Sequence, residues 1–134
     1  MLKIKATIRE WRKKYKRIAI IHKDEKKAKK LVDYLTTEIG KGVVYINPEE
    51  DVKPGFVSVL ASYNSKGMEF DGVILVNVNE ESFPKDDLHA RLLYVLLTRA
   101  QQEVKGFYQD KPSELLDGYV KQLVKATSKF DDIL

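Results

Sequence analysis

Residues 56–76 read FVSVLASYNSKGMEFDGVILV. This stretch holds two short branched apolar runs, Phe56 to Ala61 and Val73 to Val76. Between them lies a polar insert, Ser62-Tyr63-Asn64-Ser65-Lys66-Gly67, followed by Glu69 and Asp71. Apolar runs this short read as strands covered on both faces, and strands of that kind belong to parallel sheets. Parallel strands need a crossover, so the insert is expected to begin a turn or short helix above the C-terminal edge of the first strand. Ligands of open α/β sheets bind at that edge. The insert is therefore the first place to look for function.

Outward from this stretch the chain alternates between strand and helix. Residues 3–16 predict a helix with an apolar stripe of Ile4, Ile8, Trp11 and Tyr15 and a basic opposite face. Trp11 is read as a packing residue, with base stacking as the alternative. Ile18 to Ile21 is a strand, with His22, Lys23 and Asp24 at its exit. Asp24 is placed to cap a helix over 24–39, whose stripe is Ala28, Leu31, Val32, Leu35 and Ile39 and whose stop is Gly40 and Gly42. Val43 to Ile46 is a second strand. After Val76 comes a polar loop, 77–85, and then a helix from Leu88 to Leu97. That helix is apolar almost all round, which suggests burial in a larger interface, with burial under the sheet as the alternative. Glu103 to Tyr108 reads as a final strand. Pro112 and Ser113 start a last helix with Leu115, Leu116, Tyr119, Leu123 and Val124 as its stripe. The expected organisation is a basic helix over 1–16, a domain over 17–126 and a tail over 127–134. The fold class is α/β, a three-layer domain of about five strands.

Composition narrows the function classes. At 134 residues the chain is one domain or a fragment of a longer protein. It has no cysteine, which excludes a disulfide framework and a thiolate metal site. No apolar run approaches the roughly 20 residues that span a membrane, and no apolar core follows the N-terminal lysines as in a signal peptide. A cytoplasmic location and no membrane partner are the expectation. Net charge is +4, but it is unevenly spread: residues 1–30 hold 13 Lys or Arg against Glu10, Asp24 and Glu25. The remainder holds 11 basic and 17 acidic residues, a balance of −6. So basic an end fits contact with nucleic acid or phosphate, or a solvated helix face.

Several catalytic signatures are missing from the sequence. It contains no phosphate-cradling GxxxxGK[ST], no GxGxxG and no GxSxG. His22 and His89 lack a metal-ligand spacing and are expected to be structural or surface residues. Against that background NSKGMEFDGVIL, residues 64–75, resembles motif V of the superfamily 1 helicases of the UvrD/Rep/PcrA type. ARLLYVLLTRAQQEV, residues 90–104, resembles their motif VI, and IAIIHKDEKKAKKL, residues 18–31, resembles the strand and helix around motif IV. The resemblance spans residues 18–108. It implies the second motor domain, 2A: a RecA-like fold, P-loop NTPase-like without a P-loop, with a mostly parallel central sheet. The P-loop of such helicases sits on domain 1A, and ATP binds between the two.

The resemblance assigns roles residue by residue. Arg99, in Leu97-Thr98-Arg99-Ala100, matches the motif VI arginine finger, a planar fork suited to charge on a transferred phosphoryl group. The residue alone also reads as a cation meeting a helix C-terminus. Lys23 stands where these enzymes carry a motif IV arginine near the phosphates, and offers a point charge instead of a fork. Lys66, Gly67 and Glu69 match the motif V lysine, glycine and glutamate at the nucleotide, and Met68 replaces a leucine. Ser62, Tyr63 and Asn64 fall where the family lines its single-strand track. There Tyr63 replaces a histidine and Ala61 a threonine. Tyr63 is read either as a base-stacking residue or as one packed under its loop. The Ser-Tyr version looks closer to the HelD branch, whose members associate with RNA polymerase.

Three functions follow from these readings. The first is a motor-domain fragment of an ATP-dependent DNA helicase or translocase. In it domain 1A supplies the Walker lysine and most of the Mg²⁺ ligands, single-stranded DNA is the partner, and this chain alone is inactive with no tightly bound cofactor. The second is a HelD-like ATPase domain that remodels RNA polymerase. The third is a basic α/β module that binds nucleic acid or nucleotide without catalysis.

Overall fold

The computed structural model describes residues 3–117 and 120–125. Three helices and six strands follow from the N-terminus: α1 (Lys3–Arg12), β1 (Ile18–His22), α2 (Glu25–Ile39), β2 (Val43–Tyr45), β3 (Val57–Ala61), β4 (Phe70–Leu75), then α3 (Asp87–Leu97), β5 (Ala100–Tyr108) and β6 (Leu123–Lys125). Short 3₁₀ helices cover Ser62–Asn64 and Glu114–Leu116. The strands form one six-stranded sheet in the order β2-β3-β1-β4-β5-β6. Every neighbouring pair is parallel. The fold is the expected α/β architecture with helices on both faces of a parallel sheet.

Strand alternation sorts the core into two layers. Ile18, Ile20, Val57, Val59, Ile74 and Val76 point to one face, where α1 contributes Ile4, Ile8 and Trp11 and α2 contributes Ala28, Leu31 and Leu35. Ala19, Ile21, Leu60, Val73 and Leu75 point to the other, under Leu93 and Leu96 of α3, Phe83 and Leu116. Asp24 caps α2 as expected, accepting from the backbone N–H groups of Lys26 and Lys27. Gly40 ends the helix at φ 80°.

Four elements differ from the sequence reading; β5 simply starts three residues early, at Ala100 instead of Glu103, and the other three have distinct causes. First, α1 stops at Arg12, yet Tyr15 stays on its stripe, because its N–H reaches the Trp11 carbonyl at 2.8 Å and the two rings meet edge to face. Second, β4 begins at Phe70 instead of Val73. Asp71 and Gly72 are poor strand formers, but their N–H groups both find the Arg17 carbonyl, and the register slips between Phe70 and Gly72. Third, the helix expected after Pro112 is one 3₁₀ turn capped by Ser113, and Leu123 and Val124 lie in β6. The apolar spacing there suits either element, and β5 offers an open edge that β6 covers; the expected stripe member Tyr119 and the tail 127–134 lie outside the described residues. In α3 the sheet covers one side only: Leu93 and Leu96 are buried, whereas Leu88 and Tyr94 are 73% and 70% exposed, which leaves the other side open to a larger interface.

Two contacts fasten α1 to the sheet. A Cβ added at Gly72 would sit 2.7 Å from two ring carbons of Trp11, so the indole lies directly on the strand backbone. Glu103 of β5 accepts from Tyr15 Oη at 2.8 Å and Gln122 Nε2 at 2.6 Å, and pairs with Lys14 Nζ at 3.0 Å. Desolvation raises the Glu103 pKa, but the bonds from Gln122, Lys14 and Tyr15 outweigh it and hold the carboxyl at about 2.

Both contacts are testable. Gly72→Ala should destabilise the chain by about 1–3 kcal/mol in urea unfolding, through overpacking against Trp11; an unchanged midpoint would contradict the packing. Because the folded pKa of Glu103 lies below the ordinary 4.5, the unfolded chain binds more protons and stability rises with pH across this window. The contribution is full above the ordinary value and fades as pH falls through about 2. The stability gap between the wild type and Glu103→Gln should therefore shrink over that range, and a constant gap would show that the carboxylate is not held by these bonds.

Candidate functional site

The segment from Ser62 to Glu69 leaves β3 at the C-terminal edge of the sheet and enters β4 at the N-terminal edge. It crosses the face that carries α3, and Met68 packs into the core layer on that side. The residues singled out from sequence are thereby divided between two edges about one strand apart, roughly 16 Å for five residues.

Arg99, Glu69 and Gly67 gather at the N-terminal edge. Phe70 N–H donates to the Arg99 carbonyl at 2.8 Å, and Phe70 pairs with Ala100, so Glu69 and Arg99 precede neighbouring strands side by side. The half-buried Arg99 guanidinium donates from Nε to the Val95 carbonyl at 3.0 Å, from Nη1 to the Met68 carbonyl at 3.4 Å and from Nη2 to Thr98 Oγ1 at 3.1 Å. An arginine fork carries five N–H donors. Two therefore remain for an acceptor from outside, while the other three fix the plane of the group. Both the macrodipole role and the phosphate role considered from sequence are compatible with this geometry. Glu69 is exposed and accepts from Gln101 Nε2 at 2.8 Å. Gly67 has φ 81° and open space on its Cβ side, so the glycine answers a left-handed backbone and not a close neighbour. Lys66 is exposed beside it. A depression of about 430 Å³ here is lined by Arg17, Glu50, Asp51, Gly67, Met68 and Glu69.

Lys23, Ser62, Tyr63 and Asn64 lie at the opposite, C-terminal edge. Tyr63 is 57% exposed and does not pack under its loop. Ser62 is buried, and Asn64 Nδ2 donates to the Ile46 carbonyl at 2.8 Å, so both hold the 3₁₀ turn in place. The structure does not bring Lys23 to Arg99. A residue that follows β1 and one that precedes β5 must sit at opposite ends of a parallel sheet. Lys23 Nζ instead donates to the Ser82 carbonyl at 2.6 Å and meets His89 Nε2 at 3.0 Å. Phe83 lies beside it, with the ammonium 5.4 Å from the ring centre.

Asp86 and Ser82 were not singled out from sequence, and His89 was read as ordinary. Asp86 caps α3, and its carboxylate accepts from the His89 backbone N–H and meets His89 Nδ1, each at 2.8 Å. Those bonds from His89, backbone first, hold the Asp86 carboxyl below its usual range. A capping aspartate three residues before His89 was a visible signal; the partnership with Lys23 was not, because it joins residues 66 positions apart. His22 is fully buried, and its Nδ1 accepts from the Asp24 N–H at 2.8 Å, closing the turn into α2. Among the described residues no group of three or more His, Asp or Glu is placed to hold a metal ion, and no helix is long and apolar enough to cross a membrane.

Residues 56–105 match the family model for the UvrD-like helicase C-terminal domain. The crystal structure of the C-terminal domain of a possible DNA helicase from Lactobacillus plantarum WCFS1 is similar to this chain, with 27% identity and a TM-score of 0.70 over 91% of this chain and 73% of that one. No curated protein matches.

The Lys23 contact fixes a tautomer. An ammonium only donates, so His89 Nε2 must accept and its proton must sit on Nδ1, facing Asp86. Long-range ¹H–¹⁵N spectra at neutral pH should show the Nδ1–H form; an Nε2–H form would contradict the arrangement.

Proposed function

We propose, from the premise that the chain carries a UvrD-like helicase C-terminal domain, that it forms one wall of an ATP site whose other wall is a domain 1A of the parent protein. The observation that carries this reading is the convergence of Arg99 and Glu69 at the start of β4 and β5. Arg99 is held on three sides with two donors left over. That is the preorganisation an arginine finger needs: a permanently charged fork, oriented before the phosphoryl group arrives, stabilises charge that develops during transfer. Glu69 supplies a carboxylate for the ribose hydroxyls, and Gly67 and Lys66 border the same edge.

In this reading ATP and Mg²⁺ are bound chiefly by domain 1A, and the isolated chain turns over no ATP. Single-stranded DNA runs along the other edge, where Tyr63 presents an aromatic face for stacking. Lys23 belongs to that edge and not to the phosphates. Closure of the two domains on ATP would then move the C-terminal edge along the strand, making the parent protein a helicase or translocase. The replacements at Ala61 and Tyr63 point instead to a HelD-like domain acting on RNA polymerase; the exposure of Tyr63 at the strand edge supports the DNA-tracking reading over it.

In the parent protein Arg99→Lys should lower ATP turnover by about 10³-fold or more, because a point charge cannot replace the fork, while ATP binding through the partner domain persists. Unchanged turnover would remove the arginine-finger assignment.

A further inference from the structure

The face of the sheet opposite α3 carries α1 and α2 side by side; their outward surface takes no part in the Arg99–Glu69 edge, and only the first turn of α2 reaches the other edge, where Glu25 meets Tyr63. Residues 3–39, which build α1, β1 and α2, contain 13 basic side chains and five acidic ones, Glu10, Asp24, Glu25, Asp33 and Glu38; the rest of the chain holds 11 basic and 15 acidic. Helical periodicity turns Ile4, Ile8 and Trp11 inward on α1, and Ala28, Leu31 and Leu35 inward on α2. The same periodicity places Arg9 on the outer surface of α1 and Lys26 and Lys30 on that of α2, with Lys13 just beyond the end of α1. All four are exposed. Among the described residues none of them makes an ion pair or a side-chain hydrogen bond. These charges find no ion-pair partner among the described residues, even with Asp33 exposed one turn from Lys30, and a polyanion would supply the counter-charge.

We infer that this helical face is a docking surface for duplex nucleic acid, held through the phosphate backbone. Charge complementarity identifies the class of partner, and the side chains that are missing narrow it. The exposed large apolar residues, Phe56, Tyr63, Leu88 and Tyr94, all lie off these two helices. Without exposed aromatics the face offers a single strand no stacking platform. It also lacks the apolar and aromatic centre of a protein–protein interface, where lysine is depleted. Lysines and arginine on a rigid two-helix layer suit a regular array of phosphates, read without regard to sequence. The surface is independent of the nucleotide reading, since neither Arg99 nor Glu69 takes part.

The test is fluorescence anisotropy of the full chain with a labelled mixed-sequence DNA duplex of about two helical turns, titrated from about 50 to about 200 mM KCl. Binding with a dissociation constant of roughly 1–100 μM that weakens steeply with salt is expected. The combined variant Arg9→Gln, Lys13→Gln, Lys26→Gln and Lys30→Gln should bind at least about 10-fold more weakly. Its slope of log affinity against log salt should be smaller by roughly 3–4, at about 0.9 for each phosphate that is no longer neutralised. Circular dichroism checks its fold, and the two pairs Arg9→Gln/Lys13→Gln and Lys26→Gln/Lys30→Gln stand in for it, each giving about half of that reduction. Absence of duplex binding at the lowest salt, or equal binding by the variants, would overturn the proposal. Displacement of the duplex by polyglutamate at equal charge would assign the face to an acidic protein instead. Loss of duplex binding in Tyr63→Ala, with binding by the lysine variants intact, would move the contact to the strand-end edge.

Discussion

A parallel sheet obliges every connection to travel back the length of a strand, and this obligation shapes the whole motif-bearing face. Residues 62–69 make the return between β3 and β4, crossing over β1 on the α3 side. So short a link leaves no room for a full helix. It starts as a 3₁₀ turn held by Ser65 Oγ on the Ser62 carbonyl and Asn64 on the Ile46 carbonyl, passes through the left-handed Gly67, and anchors on the core through Met68. One polar motif thus contributes to both ends of the sheet. Tyr63 faces one edge, and Glu69, beside Arg99, faces the other.

That division gives the proposed two-ligand function a physical basis. In that reading the proposed nucleotide edge and the proposed strand-tracking edge share one segment, tied down by Ser65, Asn64 and Met68, which gives displacement at one edge a packed route to the other. Arg99 is built into this frame from several sides: its carbonyl receives the first N–H of β4, and its guanidinium returns bonds to α3 and to Met68. The remaining elements serve to hold the frame. Trp11 on Gly72 and Glu103 under Lys14 and Tyr15 lock α1 against β4 and β5 from the far side.

Much of this was legible in the residues, and the failures share a cause. The branched runs Ile18–Ile21 and Val57–Ala61, the Asp24 cap and the Gly40 stop are local signals, and each marks its element. The beginning of β4 at Phe70-Asp71-Gly72 and the strand β6 are set by non-local partners: the Arg17 and Arg99 carbonyls in one case, the open edge of β5 in the other. Local propensity carries no information about either. The same holds at the candidate site. Arg99 and Glu69 could be paired from their motifs, but Lys23 could be placed only once strand directions were fixed, and its partner His89 comes from a different connection.

A crystal structure of the parent protein bound to ADP and a planar transition-state mimic of the γ-phosphate would test the arginine-finger assignment at the atoms concerned. The Arg99 guanidinium should lie within charge-assisted hydrogen-bond distance of the mimic, about 2.7–2.9 Å, with Glu69 at the ribose and Lys23 remote from the nucleotide. A nucleotide seated at the C-terminal edge beside Lys23, or an Arg99 that leaves both free donors to solvent in the closed state, would contradict the assignment.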